Sequence, residues 1–165
     1  MGQVFSYKEG NLMKPLIIYR SFHHHNTEAI VKAIAPIINA DIISADKPDE
    51  IDIAGRDCIG FASGIYMSNF DKTIYRIIER LGPKPGTKTF TVFTSGANLR
   101  RPPRRLTKIL AENGYENLGN FSCKAFDTWG PLRFIGGTNR NRPNEADLEA
   151  AREFAAGLLP KINEQ

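Results

Sequence analysis

Short apolar runs alternate with longer mixed segments along the chain from Lys14 onward. The short runs have the length of buried strands, while the longer segments repeat their apolar residues every three or four positions, as amphipathic helices do. In each unit the strand comes first and the helix follows. Because strands and helices that alternate in this way form a parallel sheet covered by helices, the pattern predicts an α/β fold.

Five strands and four or five helices are predicted. The predicted strands span residues 15–20, 41–44, 57–62, 87–94 and 115–126. The predicted helices span residues 26–38, 69–81, 104–113 and 145–162, with at most a brief helix at 47–53. This order fits a three-layer doubly wound sandwich with a five-stranded parallel sheet of order 2-1-3-4-5. Ligands of that architecture bind at the carboxyl ends of the strands, near the switch point between strands 1 and 3.

The length and composition indicate one domain. The chain has 165 residues, of which 41% are hydrophobic, as is usual for a single globular domain. Residues 1–11 are polar and without periodicity, and Met13 directly precedes the first strand, so we predict an N-terminal extension over residues 1–13 and a single domain over residues 14–165. No apolar run approaches the roughly 20 residues that span a bilayer, and no signal-peptide pattern is present. We therefore expect a cytoplasmic protein without a membrane span.

The loop after the first strand has the composition of an anion site. Residues 21–27 are rich in hydroxyl, amide and imidazole groups, and a helix is predicted to begin at Asn26. The free backbone N–H groups at a helix N-terminus bind phosphate readily. This loop therefore predicts a bound anion.

Three further loops follow strands at the same edge of the predicted sheet, at residues 63–69, 94–100 and 127–137. The first two join hydroxyl residues to a glycine, which lets the backbone approach a flat ligand closely. Tyr66 and Trp129 supply aromatic faces for stacking. Catalytic carboxylates and cysteines are not expected at these strand ends. The four loops together predict one ligand site.

The residues at the strand ends exclude three classes of protein that share this topology. A receiver domain needs an aspartate at the end of the third strand, where this chain reads Ala62-Ser63-Gly64. A low-molecular-weight tyrosine phosphatase needs a cysteine in the first loop, but Cys58 and Cys123 lie elsewhere. A Rossmann domain has Gly-x-Gly-x-x-Gly in its first turn, and residues 21–27 contain no glycine.

The loops resemble those of the flavodoxin family. Tyr19–Thr27 resembles the FMN phosphate loop, Gly60–Tyr66 resembles the second loop that contacts the flavin ring, and Phe93–Gly96 resembles the third. Residues 121–144 are similar to the tail of a bacterial and archaeal branch of flavodoxin-like proteins. The resemblance covers nearly all of residues 14–162, and it implies FMN as the cofactor.

The resemblance also implies which residues bind FMN. It implies that Ser21, Asn26 and Thr27 donate hydrogen bonds to the phosphate, while residues 63–66 and 94–97 border the isoalloxazine ring. The candidate cofactor-binding residues are Ser21, His23, His25, Asn26, Thr27, Ser63, Gly64, Ile65, Tyr66, Thr94, Ser95, Gly96, Ala97 and Trp129. No catalytic residue and no metal ligand is assigned.

Two positions in these loops, Gly64 and His25, can be compared with the flavodoxin pattern. In flavodoxins a backbone carbonyl of the second loop turns toward the flavin N5 and stabilises the semiquinone, and Gly64 makes such a peptide flip inexpensive. His25 stands where the family has glycine, and histidine tolerates a positive φ better than a β-branched residue does. His23, His24 and His25 can contact phosphate or lie exposed. Three consecutive side chains cannot easily face one metal ion.

Positive charge is concentrated in one segment of a chain whose formal net charge is +4. Arg100, Arg101, Arg104 and Arg105 flank two prolines at the start of a predicted helix, where the helix dipole disfavours cations. They form either a solvated surface or a docking surface for an acidic redox partner or an anionic cofactor such as NADPH. No nucleic acid is expected, because base-stacking aromatic residues are not interleaved with these arginines.

Three functions remain open from the sequence. The first is an FMN-binding flavodoxin-like electron-transfer protein, a one-electron carrier that works through the flavin semiquinone, with the protein tuning the cofactor. The second is an FMN-dependent oxidoreductase that acts on NAD(P)H and a quinone or on a porphyrinogen-type substrate. The third is a non-redox binding module that has kept the fold and lost FMN.

Overall fold

The computed structural model describes residues 14–22, 24–128 and 130–164. Within these ranges the strands are β1 (Leu16–Arg20), β2 (Asp41–Ser44), β3 (Cys58–Tyr66), β4 (Asn69–Phe70), β5 (Lys88–Ser95) and β6 (Glu116–Lys124). The α-helices are α1 (Asn26–Ile34), α2 (Lys72–Leu81), α3 (Arg104–Glu112) and α4 (Glu145–Asn163). Short 3₁₀ segments cover Pro48–Glu50 and Gly130–Ile135. None of the described helices has the length and apolar character needed to cross a bilayer.

Three parts of the sequence-based prediction lie outside the described residues. They are the extension over residues 1–13 and the candidate site residues His23 and Trp129.

The sheet has the predicted topology. The parallel strands lie in the order β2-β1-β3-β5-β6, and β4 pairs only with β3, in antiparallel orientation. Without β4 this is the order 2-1-3-4-5, so the predicted fold class is confirmed. The register places Arg20 beside Ser63 and Gly64 beside Thr94. The carboxyl ends of the central strands therefore meet at one edge.

Each face of the sheet carries its own hydrophobic core, because successive side chains of a strand point to opposite faces. One core joins Ile17, Phe90 and Val92 to α1 and α4, and the other joins Ile18 and Phe61 to α2 and α3. Both faces are covered, so the central strands β3 and β5 are almost continuously buried, as parallel strands usually are. This arrangement is the predicted three-layer sandwich.

The main departure from the predicted elements lies after the third strand. Residues 69–81 were predicted as one helix, but β3 continues to Tyr66 and turns back as β4, with Ile65 opposite Phe70. Asp71 then caps α2 by accepting a hydrogen bond from the Thr73 amide at 2.8 Å. The helical prediction was wrong at its start, because Phe70 packs into a core as a strand residue and the hairpin lacks a glycine that would have signalled its turn.

Other helix boundaries follow local signals. α1 ends at Ile34 instead of Ile38, since Pro36 cannot continue the helix. At α4, the predicted N-cap Asn144 is confirmed: its side chain accepts from the Asp147 amide, and Asp147 accepts from the Asn144 amide in return. Asp147 also binds the Arg142 guanidinium through both carboxylate oxygens. This pair fixes the segment after β6 to the start of α4.

Candidate functional site

A cleft of about 450 Å³ opens at the carboxyl ends of the central strands. Its volume is in the range of small-molecule sites in proteins, roughly 300–1,000 Å³. The cleft is walled by loops after β1, β3, β5 and β6, as predicted. The predicted site residues that line it are Asn26, Thr27, Gly64, Ile65, Tyr66, Thr94, Ser95, Gly96 and Ala97.

Ser21, Ser63 and His25 do not line the cleft. The Ser63 side chain is fully buried beneath the cleft. His25 is exposed on the outer side of the loop, where it borders a separate shallow depression with Glu28 and Lys32. Among the described residues, no group of three or more metal-ligating side chains comes together.

The loop after β1 turns sharply into α1. His24 and His25 both adopt positive φ, at 54° and 53°, so the loop makes a left-handed turn at the position where glycine was expected. The His24 ring packs 4.3 Å from the Phe126 ring and its Nε2 lies 3.0 Å from Thr128 Oγ1. Histidine in place of glycine is therefore compatible with a left-handed loop that is held against the segment after β6.

The three side chains assigned to phosphate already make hydrogen bonds within the protein. Ser21 Oγ accepts from the Glu28 amide at 3.3 Å, Asn26 Nδ2 donates to the Phe126 carbonyl at 2.9 Å, and Thr27 Oγ1 pairs with Thr94 Oγ1 at 2.9 Å. Ser21 keeps its hydroxyl proton and Asn26 keeps its second amide proton. The first-turn amides of α1 also lack partners within the helix. This donor set fits a phosphate.

Glu28 brings a negative charge into the first turn of α1. Its carboxylate binds Lys32 at 2.6 Å and His25 Nδ1 at 2.7 Å. The hydrogen bond from Lys32, and then that from His25, lower the pKa of Glu28, and the same carboxylate raises the pKa of Lys32. The charge of Glu28 is therefore largely compensated on the side of the helix that faces away from the cleft.

Gly64 lies in β3 under the side chain of Tyr66. A Cβ on Gly64 would come within 2.8 Å of the Tyr66 hydroxyl oxygen and 3.0 Å of its Cζ. The Gly64 carbonyl accepts a hydrogen bond from Ser63 Oγ at 2.7 Å, and Ser63 Oγ accepts from the Asp71 amide at 3.0 Å. The carbonyl that the flavodoxin resemblance expects to turn is therefore hydrogen-bonded within its own strand.

Sequence reasoning missed a carboxylate in the cleft. Asp127 lines it beside Gly96, where an added Cβ would clash with the Asp127 carboxylate. Asp127 was not among the predicted site residues, although it lies in one of the four predicted loops. Asp127 immediately follows the last predicted strand, which was the available signal. Met67, Ser68, Leu99, Ala125 and Phe126 also line the cleft without having been predicted.

Asn139 ties two walls of the cleft together. Its Nδ2 donates to the Gly96 carbonyl at 3.0 Å and to the Ala125 carbonyl at 3.1 Å. The neighbouring Thr138 forms an antiparallel bridge with Asp127. The segment after β6 thus sets the spacing between the loops after β5 and β6.

Comparison with known proteins places the chain in a family. No family model matches the sequence. The chain is 41% identical over 149 residues to the uncharacterized protein MJ0298 of Methanocaldococcus jannaschii, a match that covers 89% of this chain and 99% of that protein. This protein is a flavodoxin-fold member of the MJ0298 family.

The fold assignment rests on solved structures. A flavodoxin from the domain Archaea superposes with a TM-score of 0.65 at 15% identity, covering 92% of this chain and all of that one. Flavodoxin 2 from Bacillus cereus gives a TM-score of 0.65 at 18% identity, covering 90% and 99%. The rubredoxin oxygen:oxidoreductase of Desulfovibrio gigas gives 0.69 at 15% identity over 90% of this chain, which spans only 36% of that protein's length.

Cationic and apolar side chains are exposed on the segments that follow the strands around the cleft in this flavodoxin-fold protein. Arg100, Arg101, Arg104 and Arg105 are exposed, and within the described ranges none of them forms a salt bridge. Large apolar side chains are exposed on the loops at the same end of the sheet: Phe22, Met67, Leu99, Phe134 and Ile135. Such side chains at the mouth of a cleft are typical of a surface that binds another molecule.

Proposed function

We propose that this protein binds FMN in the cleft and carries electrons one at a time between partner proteins. The arrangement of the cleft supports this most directly. One wall carries the hydrogen-bond donors of the α1 N-terminus, and another wall is formed by the two glycine-containing loops. In a flavodoxin fold this arrangement suits a mononucleotide with a flat ring.

The residues divide between the phosphate and the ring. Ser21, Asn26 and Thr27, together with the first-turn amides of α1, bind the phosphate. Gly64–Tyr66 and Ser95–Ala97 hold the ring, and Tyr66 offers it a stacking face. FMN supplies the redox chemistry when bound. The chain's own residues bind it, orient it and limit its access to water.

The partners we propose are redox proteins with an acidic surface. Arg100, Arg101, Arg104 and Arg105 lie on the loop after β5 and at the start of α3, a few residues along the chain from Gly96 and Ala97, which line the cleft. Complementary charge raises the rate of association, and exposed apolar side chains at the rim provide contact area. Two structural neighbours, the rubredoxin oxygen:oxidoreductase and the Flv1 flavodiiron core of Synechocystis, are redox proteins by name.

A second function, direct oxidation or reduction of a small substrate, is favoured by one observation. Asp127 places a carboxylate in the cleft, and a carboxylate can exchange a proton with a ligand, which a simple electron carrier does not require. Under this alternative the protein is an FMN-dependent oxidoreductase that accepts NAD(P)H and a quinone or porphyrinogen-type substrate.

Titration with FMN tests the proposal. We expect the purified protein to bind FMN, and the Thr27→Ala variant to bind it at least tenfold more weakly, because a hydrogen bond to a charged phosphate contributes about 1.5–3 kcal/mol. Quenching of flavin fluorescence measures both affinities. A protein that stays colourless and does not quench FMN would refute the proposal.

Reduction of the FMN-loaded protein then distinguishes the electron carrier from the oxidoreductase. A carrier is expected to accept electrons in two resolved one-electron steps during photoreduction and to react slowly with NAD(P)H alone. An oxidoreductase is expected to be bleached by NAD(P)H in a single two-electron step. Absorption spectra recorded during both experiments distinguish them.

A further inference from the structure

A pair of buried hydroxyl groups connects two walls of the cleft. Thr27 lies in the first turn of α1 and Thr94 near the end of β5, and their Oγ1 atoms are 2.9 Å apart although 67 residues separate them in the chain. Both side chains are almost fully buried, at 1% and 3% exposure. Both residues line the cleft. The pair therefore joins the helix N-terminus to the loop that holds the ring.

The other buried threonines of β5 do not make this kind of contact. Thr89 Oγ1 donates to the Ile59 carbonyl at 2.7 Å, which fixes its proton. Thr91 Oγ1 has no hydrogen-bond partner within the described residues. Thr94 alone of these three meets another hydroxyl group, and that hydroxyl belongs to a different element.

The proton arrangement of this pair has two forms. Each hydroxyl has one proton, and only one of the two protons can lie between the oxygens. If Thr27 donates to Thr94, then Thr27 has no proton left for a ligand. If Thr94 donates to Thr27, the Thr27 proton is free to point elsewhere. A phosphate only accepts hydrogen bonds at its oxygens, so it favours the second form.

Building on the proposed FMN site, we propose that Thr94 is a positioning residue for the phosphate and not a ring contact. Thr94 donates to Thr27, and this directs the Thr27 proton to the FMN phosphate. Two hydrogen bonds in a row strengthen each other in a buried site. The resemblance to flavodoxins assigned Thr94 to the ring. The two assignments therefore predict different effects of a Thr94 substitution on ligands with and without a phosphate.

The test compares FMN with riboflavin, which has the same ring and no phosphate. We expect Thr94→Val to weaken FMN binding about tenfold and to change riboflavin binding less than twofold. Thr94→Ser, which keeps the hydroxyl, is expected to restore FMN binding to within threefold of the wild type. Thr91→Val is the matched control on the same strand, and it should leave both affinities unchanged.

A double-mutant cycle distinguishes a specific coupling between Thr94 and Thr27 from a general disturbance of the FMN site. Since Thr94 acts through Thr27, the Thr27→Val/Thr94→Val variant should bind FMN no more weakly than Thr27→Val alone. Additive losses would contradict the inference. If Thr94→Val does not fold, Thr94→Ala replaces it in both experiments.

The outcomes distinguish this inference from the function on which it rests. Equal losses of FMN and riboflavin in Thr94→Val would show that Thr94 acts on the ring and would overturn the inference. A wild-type protein that binds riboflavin as tightly as FMN would overturn it as well, because the phosphate would not be recognised. A wild-type protein that binds neither ligand would refute the proposed function itself.

Discussion

Tyr115 shows how an individual residue can be buried at a cost. Its hydroxyl is buried without a hydrogen-bond partner in the described part of the chain, and burial raises the pKa of the side chain to about 12. Its ring, however, packs edge-on against Phe61 with the centroids 5.8 Å apart. The ring therefore stabilises the core while the hydroxyl does not.

We expect Tyr115→Phe to keep or increase the free energy of unfolding at neutral pH, by up to about 1 kcal/mol, because it removes an unpaired buried hydroxyl. The effect should grow in alkali. The folded-state pKa of Tyr115 is above its ordinary value of 10, so the unfolded chain gives up the hydroxyl proton at lower pH than the folded protein does. The wild type therefore loses stability as the pH rises from 10 toward 12.

Urea unfolding at a series of pH values from 7 to 11 measures this difference. Burial raises the pKa of Cys58 to about 12 as well, so both proteins should lose stability above pH 9. The wild type should lose more than Tyr115→Phe above pH 10. Parallel curves over the whole range would contradict the expectation.

The hairpin β3–β4 shows how an element can form against local preference. Its two turn residues, Met67 and Ser68, have φ values of 47° and 64°, as a tight hairpin turn requires, yet neither is Gly, Asn or Asp. Met67 is 86% exposed, so its side chain gains little from packing. The pairing of Ile65 with Phe70, which is buried in the core, holds the turn in place.

We expect Ser68→Gly to raise the free energy of unfolding by about 1 kcal/mol, because glycine adopts a positive φ without the penalty of a side chain. Thr107→Gly is a useful comparison, since Thr107 lies within α3 and glycine is unfavourable in a helix interior. That variant should lose stability by a smaller amount, about 0.3 kcal/mol, because threonine is itself a weak helix former. Thermal and urea unfolding measure both, and a loss of stability in Ser68→Gly would contradict the assigned turn.

At the scale of the whole molecule, positive charge and exposed apolar surface lie at the cleft end of the sheet. The arginines follow β5, and Phe22, Met67 and Phe134 follow β1, β3 and β6. Lys84 lies at the opposite end, in the turn before β5. An arginine at the cleft end and Lys84 at the opposite end therefore form a matched pair of positions for testing whether charge near the cleft affects its reactions.

We expect Arg101→Glu, in the protein loaded with FMN and then reduced with dithionite, to slow the oxidation of the flavin by ferricyanide, an anion, several-fold at low salt. The same variant should speed its oxidation by the cationic tris(phenanthroline)cobalt(III). Lys84→Glu carries the same charge change and should alter both rates less. Stopped-flow measurements at several ionic strengths test this. Equal effects of the two variants would show that the arginines do not act at the cleft.

Local patterns in the sequence were sufficient for the architecture. Apolar periodicity placed β1, β2 and α4 within one or two residues of their bounds, and the N-cap at Asn144 was evident from its position before an amphipathic helix. The strand order followed from the alternation of strands and helices. Because the carboxyl ends of parallel strands share an edge, the sequence also indicated which four loops surround the cleft.

The details of the cleft depend on contacts between residues far apart in the chain. The Thr27–Thr94 pair, the Asn139 bridge from Gly96 to Ala125 and the close approach of Asp127 to Gly96 each join segments that no local pattern relates. Hydrophobic periodicity reports only whether a position faces a core. The partner of a buried hydroxyl or carboxylate is set by how the loops pack, so only the tertiary structure decides it.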